Sequence, residues 1–208
     1  MCTRFHLKPG SRELRKIAER ALASRLAGKV RDAGKTVAVE GDIRPTDVAP
    51  VLAPGRNGGR GVFPMRWGFR LPGGGLVVNA RTETAAGKPL FGDSWARRRC
   101  VVPASWYYEW EHTADPSGKK RVGAKYRIFA PGAPVLWLCG LYRMEGDVPV
   151  FAILTRPPTP ELARLHDRMP FILSGELAGE WIRPDARPED FPVHAVEELA
   201  AVAVPAGA

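Results

Sequence analysis

Cys2 stands directly after Met1, and a residue this small at position 2 ordinarily allows the initiator methionine to be removed, so the mature chain is expected to begin with cysteine. Such a terminus carries an α-amine and a thiol on adjacent carbons. The amine, with a pKa of about 7.7–8.0, is far more available as a neutral nucleophile than a lysine at pH 7. It can condense with an aldehyde to an imine, and the adjacent thiol can then close a five-membered thiazolidine at high effective concentration. A lysine cannot close that ring. The plainer alternative is an arbitrary residue in a frayed terminus.

Three further residues could serve such chemistry. In Cys100-Val101-Val102-Pro103-Ala104-Ser105-Trp106-Tyr107-Tyr108-Glu109-Trp110, strand alternation puts Trp106, Tyr108 and Trp110 on one face and Tyr107, Glu109 and Glu111 on the other. A carboxyl among large aromatics is partly desolvated, and its pKa rises toward the range useful for general acid/base work, unless it points to solvent beside Glu111. His166, in Leu165-His166-Asp167-Arg168-Met169-Pro170, can move protons near neutral pH with Asp167 or a backbone group fixing its tautomer, or simply serve as a capping or surface histidine. Asn79-Ala80-Arg81 follows a short apolar strand, so Asn79 is placed to orient a sugar or carbonyl oxygen and Arg81 to clamp a phosphate. Arg97-Arg98-Arg99 reads as a solvated face or a phosphate contact.

Cys2, Cys100 and Cys139 read as thiols, since three cysteines make no disulfide framework. No Cys or His pair has the close spacing of a zinc site, so neither a metal nor another cofactor is expected. Phosphate-cradling glycine motifs and a serine nucleophile elbow are also missing.

The elements that must position these residues follow from periodicity. Ser11 caps a helix whose Leu14, Ile17, Ala18, Ala21, Leu22 and Leu26 share one face, with Gly28 ending it. Lys35 to Gly75, rich in Pro and Gly, reads as loops and brief strands, with a mobile loop at 54–61. Strands are predicted over 76–78, 100–110, 125–129, 135–141 and 148–154, with a long hairpin loop over 112–120 and a tight turn at Glu145-Gly146-Asp147. Short helices are predicted from Thr159 to His166 and from Ser174 to Ile182, and residues 202–208 as a frayed tail. The pattern implies an α+β fold in one domain over 1–208: a curved, mainly antiparallel sheet or barrel-like core with a few flanking helices.

A 208-residue chain, 45% apolar and 25% charged, can bury a core, which argues against wholesale disorder. No apolar run reaches the roughly 18 residues of a membrane span, and the N-terminus lacks a signal-peptide core, so a cytoplasmic, membrane-free protein is expected. The net charge of +9 is unevenly spread. From residue 176 onward there are seven acids and two bases, so the first 175 residues carry 29 bases against 15 acids. Such a field attracts polyanions, of which nucleic acid is the commonest.

In order, Met1-Cys2-x-Arg4-Phe5, Trp67-Gly68-Phe69, Asn79-Ala80-Arg81-x-Glu83-Thr84, Arg99-Cys100 to Trp110 and His166-Asp167-Arg168-Met169-Pro170 resemble the SRAP family, the SOS response-associated peptidases, over residues 2 to about 175. The resemblance implies a monomeric sensor of abasic sites in single-stranded DNA that forms a covalent protein–DNA crosslink through the N-terminal cysteine and associates with the nucleoid when bound. It implies that Cys2 is the nucleophile, that Asn79 orients it and the sugar, and that Glu109 and His166 are the acid/base pair. It further implies that Arg4, Arg81 and Arg168 contact DNA phosphates and that Trp67 and Trp110 lie near the DNA path. An N-terminal-cysteine peptidase and a noncovalent single-strand-binding module are the alternatives, the family name suggesting the first and the basic charge with its aromatics the second. Thr3 stands where the family usually has glycine, and Gly74-Gly75-Leu76 where some members have tryptophans that wedge against DNA.

Overall fold

Two β-structures share the chain in a computed structural model that describes residues 2–8, 10–55, 58–114 and 120–205. The strands are β1 (Phe5–Leu7), β2 (Gly41–Ile43), β3 (Val48–Pro54), β4 (Arg60–Trp67), β5 (Phe69–Arg70), β6 (Leu76–Val77), β7 (Asn79–Arg81), β8 (Arg99–Ala104), β9 (Trp106–Ala114), β10 (Lys120–Phe129), β11 (Leu136–Glu145), β12 (Val148–Arg156), β13 (Met169–Pro170), β14 (Ile172–Leu173) and β15 (Ala200–Ala203). The helices are α1 (Arg12–Leu22), α2 (Arg25–Asp32), α3 (Thr82–Ala85), α4 (Gly92–Arg97) and α5 (Gly175–Trp181). None of these helices is long and apolar enough to cross a membrane.

Strands β12, β4, β3, β8 and β11 pair in that order, and β11 pairs again with β12, so five strands close a ring. The β12–β4 pairing is parallel and the other four are antiparallel. Its apolar runs are buried almost without alternation along β3, β8 and β12, because one side faces the ring interior and the other is covered by helices or the second sheet. The second sheet runs β15-β10-β9-β1-β2. The expected α+β class is therefore observed.

Two pairings set up the site. The C-terminal half of β12 holds β7 on one side, with Ile153 opposite Asn79, and β13 on the other, with Arg156 opposite Met169. Residues almost ninety positions apart are thus brought to one strand. Meanwhile β1 lies against β9, with Phe5 opposite Tyr107, which draws the N-terminus toward Glu109.

Several elements depart from the sequence expectation for identifiable reasons. The first helix stops at Leu22, where Ser24 caps a new helix by accepting a hydrogen bond from the Leu26 N–H, so Gly28 lies inside α2 rather than ending α1. The Pro-rich stretch predicted as loops and brief strands contains the β3–β4 hairpin, longer than expected, in which Pro50 sits opposite Pro64. A pair of prolines exchanges no ladder hydrogen bonds, so the hairpin tolerates both. Residues 159–166 form successive turns instead of a helix, with Leu162 and Ala163 both bonded to the Thr159 carbonyl. Val202 and Ala203 are not frayed: they pair with Arg127 and Tyr126 of β10. The hairpin loop predicted over 112–120 is shorter, since β9 runs on to Ala114 and β10 starts at Lys120; residues 115–119 between them, 206–208, and 56–57 in the predicted loop at 54–61 lie outside the described residues.

Candidate functional site

Phe5 and Leu7 point into the core, and the Tyr108 N–H donates to the Arg4 carbonyl at 2.9 Å while the Ser105 N–H donates to the His6 carbonyl at 2.8 Å. This seam fixes the start of the chain rather than leaving it to fray. Cys2 is fully buried, its thiol 3.9 Å from the Arg4 carbonyl. Asn79, presented by β7, donates from Nδ2 to the Cys2 carbonyl at 2.9 Å. Its Oδ1 is buried and has no hydrogen-bond partner among the described residues. An acceptor left in that condition is costly to keep, so it marks a place where a donor from a bound molecule would be stabilised.

Asn79 is held from below by Trp67, Gly68 and Phe69. Trp67 donates from Nε1 to the Val78 carbonyl at 2.9 Å, stacks on Phe151 at 5.9 Å and meets Phe5 at 5.3 Å. Gly68 takes φ +111°, and a Cβ there would come within 2.6 Å of Leu76, so both the backbone and the space require glycine. Trp67 is itself wholly enclosed. The expectation that it lines a DNA path is corrected: alternation turns it inward, where it supports the strand carrying Asn79.

Glu109 projects from the inner face of β9 and is 4% exposed. Burial pushes its carboxyl above the usual carboxylate range, against the opposing influence of the chain's positive amino terminus and a weak hydrogen bond from the Trp110 N–H. Its charge and, more strongly, burial push the Cys2 thiol up to about 12. At neutral pH Cys2 is therefore a protonated thiol. Ligand atoms of Glu109, His112 and His166 all lie within 4.8 Å of one another. His166 is brought there by the turns before β13: the His112 N–H donates to the Leu165 carbonyl at 3.2 Å, and the two imidazoles meet edge to face at 4.7 Å. The sequence offered no local spacing for this trio, since His166 comes from a segment 54 positions beyond His112.

The expected arginines part ways. Arg4 lies over Trp110 at 5.2 Å and 3.7 Å from Asp42. Arg81 is exposed at the end of β7. Arg168 forms a forked pair with Glu83 at 2.6 and 2.8 Å and donates to the Thr155 carbonyl at 2.6 Å, which ties α3 and β12 to the His166 segment. That engagement corrects its reading as an arginine open to DNA phosphate. Arg99, from the basic triplet, is also buried and donates to the carbonyls of Trp95, Ala96, Trp181, Arg183 and Ala186, so it joins α4 to the end of α5.

Sequence reasoning undervalued the outer face of the second sheet. There His6 stacks on Trp106 at 4.1 Å, Arg127 lies 5.2 Å from Trp106, and Lys125 sits 3.9 Å above Tyr108 and 6.0 Å from Trp110. The alternation of Trp106, Tyr108 and Trp110 was legible, but the cations come from β1 and β10. Their cross-strand register is not written locally.

A family model described as SOS response associated peptidase (SRAP) matches residues 1–205. The chain is 32% identical over 170 residues to the abasic site processing protein YobE of Bacillus subtilis, covering 73% of this chain and 74% of that one. It is likewise 32% identical over 171 residues to the abasic site processing protein YoqW of Bacillus phage SPbeta, at 73% of each chain. A crystal structure of a protein from Bacteroides thetaiotaomicron shares the fold, with a TM-score of 0.72 at 18% identity over 99% of this chain and 93% of that one.

Proposed function

Since the chain belongs to the SOS response associated peptidase family, we propose that it acts on abasic sites in single-stranded DNA and captures them covalently through Cys2 once Met1 is removed. The observation that carries this reading is the fixed main chain of Cys2, its carbonyl held by Asn79 Nδ2 while Asn79 Oδ1 has no partner among the described residues. Anchoring at the carbonyl leaves the new α-amine oriented relative to Asn79 and Glu109, and the sugar of a ring-opened abasic site carries a free hydroxyl, on its C4 carbon, able to donate to Oδ1.

The steps balance without a cofactor. The Cys2 amine adds to the aldehyde carbon and forms a carbinolamine. Glu109 donates a proton to the hydroxyl, water leaves, and an iminium remains. The thiol then adds to the iminium carbon: the C–S bond forms, the C=N π pair returns to nitrogen, and the thiol proton passes to the Glu109 carboxylate. One water is lost overall. A carboxyl whose pKa burial raises suits both halves, because it holds a proton more readily than an exposed carboxyl and so both delivers one to the hydroxyl and takes one from the thiol. His166, within 4.8 Å of Glu109, completes the proton path. Arg4, Arg81, Trp110 and the cation-flanked aromatics of the outer face hold the strand, where stacking contributes about 1–3 kcal/mol per base.

The protonated state of Cys2 weighs against the peptidase alternative. A peptidase cysteine attacks as a thiolate beside a cation, and here both burial and Glu109 favour the thiol. Imine capture starts from the amine and needs no resting thiolate.

The test is a denaturing gel with a single-stranded oligonucleotide carrying one abasic site. The methionine-processed protein is expected to give a shifted band that an intact oligonucleotide does not give. Cys2→Ala, whose terminal amine still forms an imine, is expected to give a band only after borohydride reduction. No shift with the parent protein, or a stable unreduced band with Cys2→Ala, would overturn the proposal.

A further inference from the structure

We propose that Lys35, Arg66 and Arg70 form a second binding site, for a phosphate dianion, on the face of β4 opposite Trp67. The three line a cavity of about 290 Å³ between α2, the start of β3, β4, β5 and the β11–β12 turn. Val30 and Val148 belong to its apolar walls, and Glu145 is the one acid among the described residues that line it. The volume is at the small end of ligand pockets. Alternation along β4 turns Trp67 toward Val78, beside Asn79, and Arg66 to the other face, so the cavity is separate from the proposed capture site.

A buried cation with half of its fork unanswered carries the inference. Arg66 is 6% exposed. Its Nη2 donates to Glu145 Oε2 at 2.5 Å, while Nη1 is buried and has no hydrogen-bond partner among the described residues. Leaving a charged donor in that condition is costly. Glu145 cannot supply what is missing, because its Oε1 already accepts from Arg143 Nη2 at 2.7 Å and from the Arg70 N–H at 2.8 Å. One carboxylate thus serves two guanidinium groups. Burial lowers the Arg66 pKa, Glu145 raises it, and the positive charges of Arg70 and Arg143 lower it further, yet a guanidinium stays charged.

The charges around the cavity select the ligand. Three cations and one acid line it, and the adjacent pair of Lys29 with Asp147, at 3.4 Å, sums to zero. The excess of two positive charges complements a phosphate dianion or a phosphate monoester, which carries about 1.5 to 2 negative charges at pH 7. Guanidinium forks match phosphate oxygens in pairs. Lys35 and Arg70 are exposed, and Lys35 holds only the Thr46 carbonyl at 3.2 Å, so both side chains are able to fold over the anion that Arg66 receives. Binding at this cavity does not depend on the proposed capture chemistry. The shared chemistry has two sources, a free small phosphate and the phosphorylated end of a DNA strand.

The experiment is a calorimetric titration of the full chain with inorganic phosphate in a chloride buffer. One equivalent is expected to bind with a Kd below about 1 mM. Lys35→Ala and Arg70→Ala, both at exposed positions, are each expected to weaken binding by at least about fivefold, while Arg81→Ala, on the proposed DNA path, leaves it unchanged. Absence of such binding would overturn the proposal, as would an affinity untouched by Lys35→Ala and Arg70→Ala or an equal loss with Arg81→Ala, either of which puts the anion elsewhere. A second titration compares an intact single-stranded oligonucleotide with and without a 5′-phosphate. Tighter binding of the phosphorylated strand, lost in Arg70→Ala, identifies a strand end as the source; equal binding of the two strands, with inorganic phosphate still bound, identifies a free phosphate. Because no abasic site is present, failure here is separate from failure of the crosslinking assay.

Discussion

At the scale of single residues, Glu109 carries opposing demands of stability and chemistry. A carboxyl whose pKa is higher in the folded than in the unfolded chain binds more protons when folded, so its favourable contribution is present below the ordinary carboxylate pKa and is lost as pH rises through the raised value. At neutral pH Glu109 therefore weakens the fold. Glu109→Gln keeps the shape without the charge, and it is expected to raise the denaturation midpoint at pH 7, to lose that advantage toward pH 4, and to slow crosslinking. A parent protein more stable than the variant at pH 7 would contradict this. Asn79→Ala removes the hold on the Cys2 carbonyl, a hydrogen bond of about 1–3 kcal/mol in a buried setting, and single-turnover crosslinking is expected to slow about five- to hundredfold. Residue types were the most legible level of the sequence: Cys2, Asn79, Glu109 and His166 stood out from their chemistry and order. Trp67 and Arg168 did not read correctly, because nothing local distinguishes an aromatic that supports a strand from one that meets DNA, or an arginine paired to Glu83 from an open one.

At the scale of elements, capping and ion pairing decide what the periodicity leaves ambiguous. The break between α1 and α2 was hidden because Leu26 continues the apolar face of α1, and only the Ser24 hydroxyl, bonded to the Leu26 N–H, reveals the second start. Ser24→Ala is expected to cost about 0.5–2 kcal/mol, read as a lower urea midpoint at unchanged slope. The clamp from Arg168 to Glu83 gives a second case. Arg168 holds the Glu83 carboxyl down at about 2, so the clamp stabilises the protein above the ordinary carboxylate range and loses its effect as pH falls through about 2. Glu83→Gln should be less stable than the parent at pH 6, with the gap closing as the solution is acidified toward pH 2. A gap that does not change with pH would show that the clamp is not electrostatic.

For the whole molecule, alternation and turn chemistry sufficed for the α+β class, but the closed ring was not legible. It depends on β12 pairing in parallel with β4 and antiparallel with β11, contacts that only the folded chain reveals. The same long-range pairings bring β7 and β13 to β12, so the gathering of Asn79 and the His166 segment is a consequence of topology. The central claim is that the site so gathered joins the start of the chain to a damaged sugar, and nuclease digestion of the crosslinked product followed by mass spectrometry tests it most directly. The adduct is expected on the peptide beginning with Cys2, lacking Met1, at the summed mass of peptide and abasic remnant less one water. A remnant on any other residue, or on a peptide that still begins with Met1, would contradict the account.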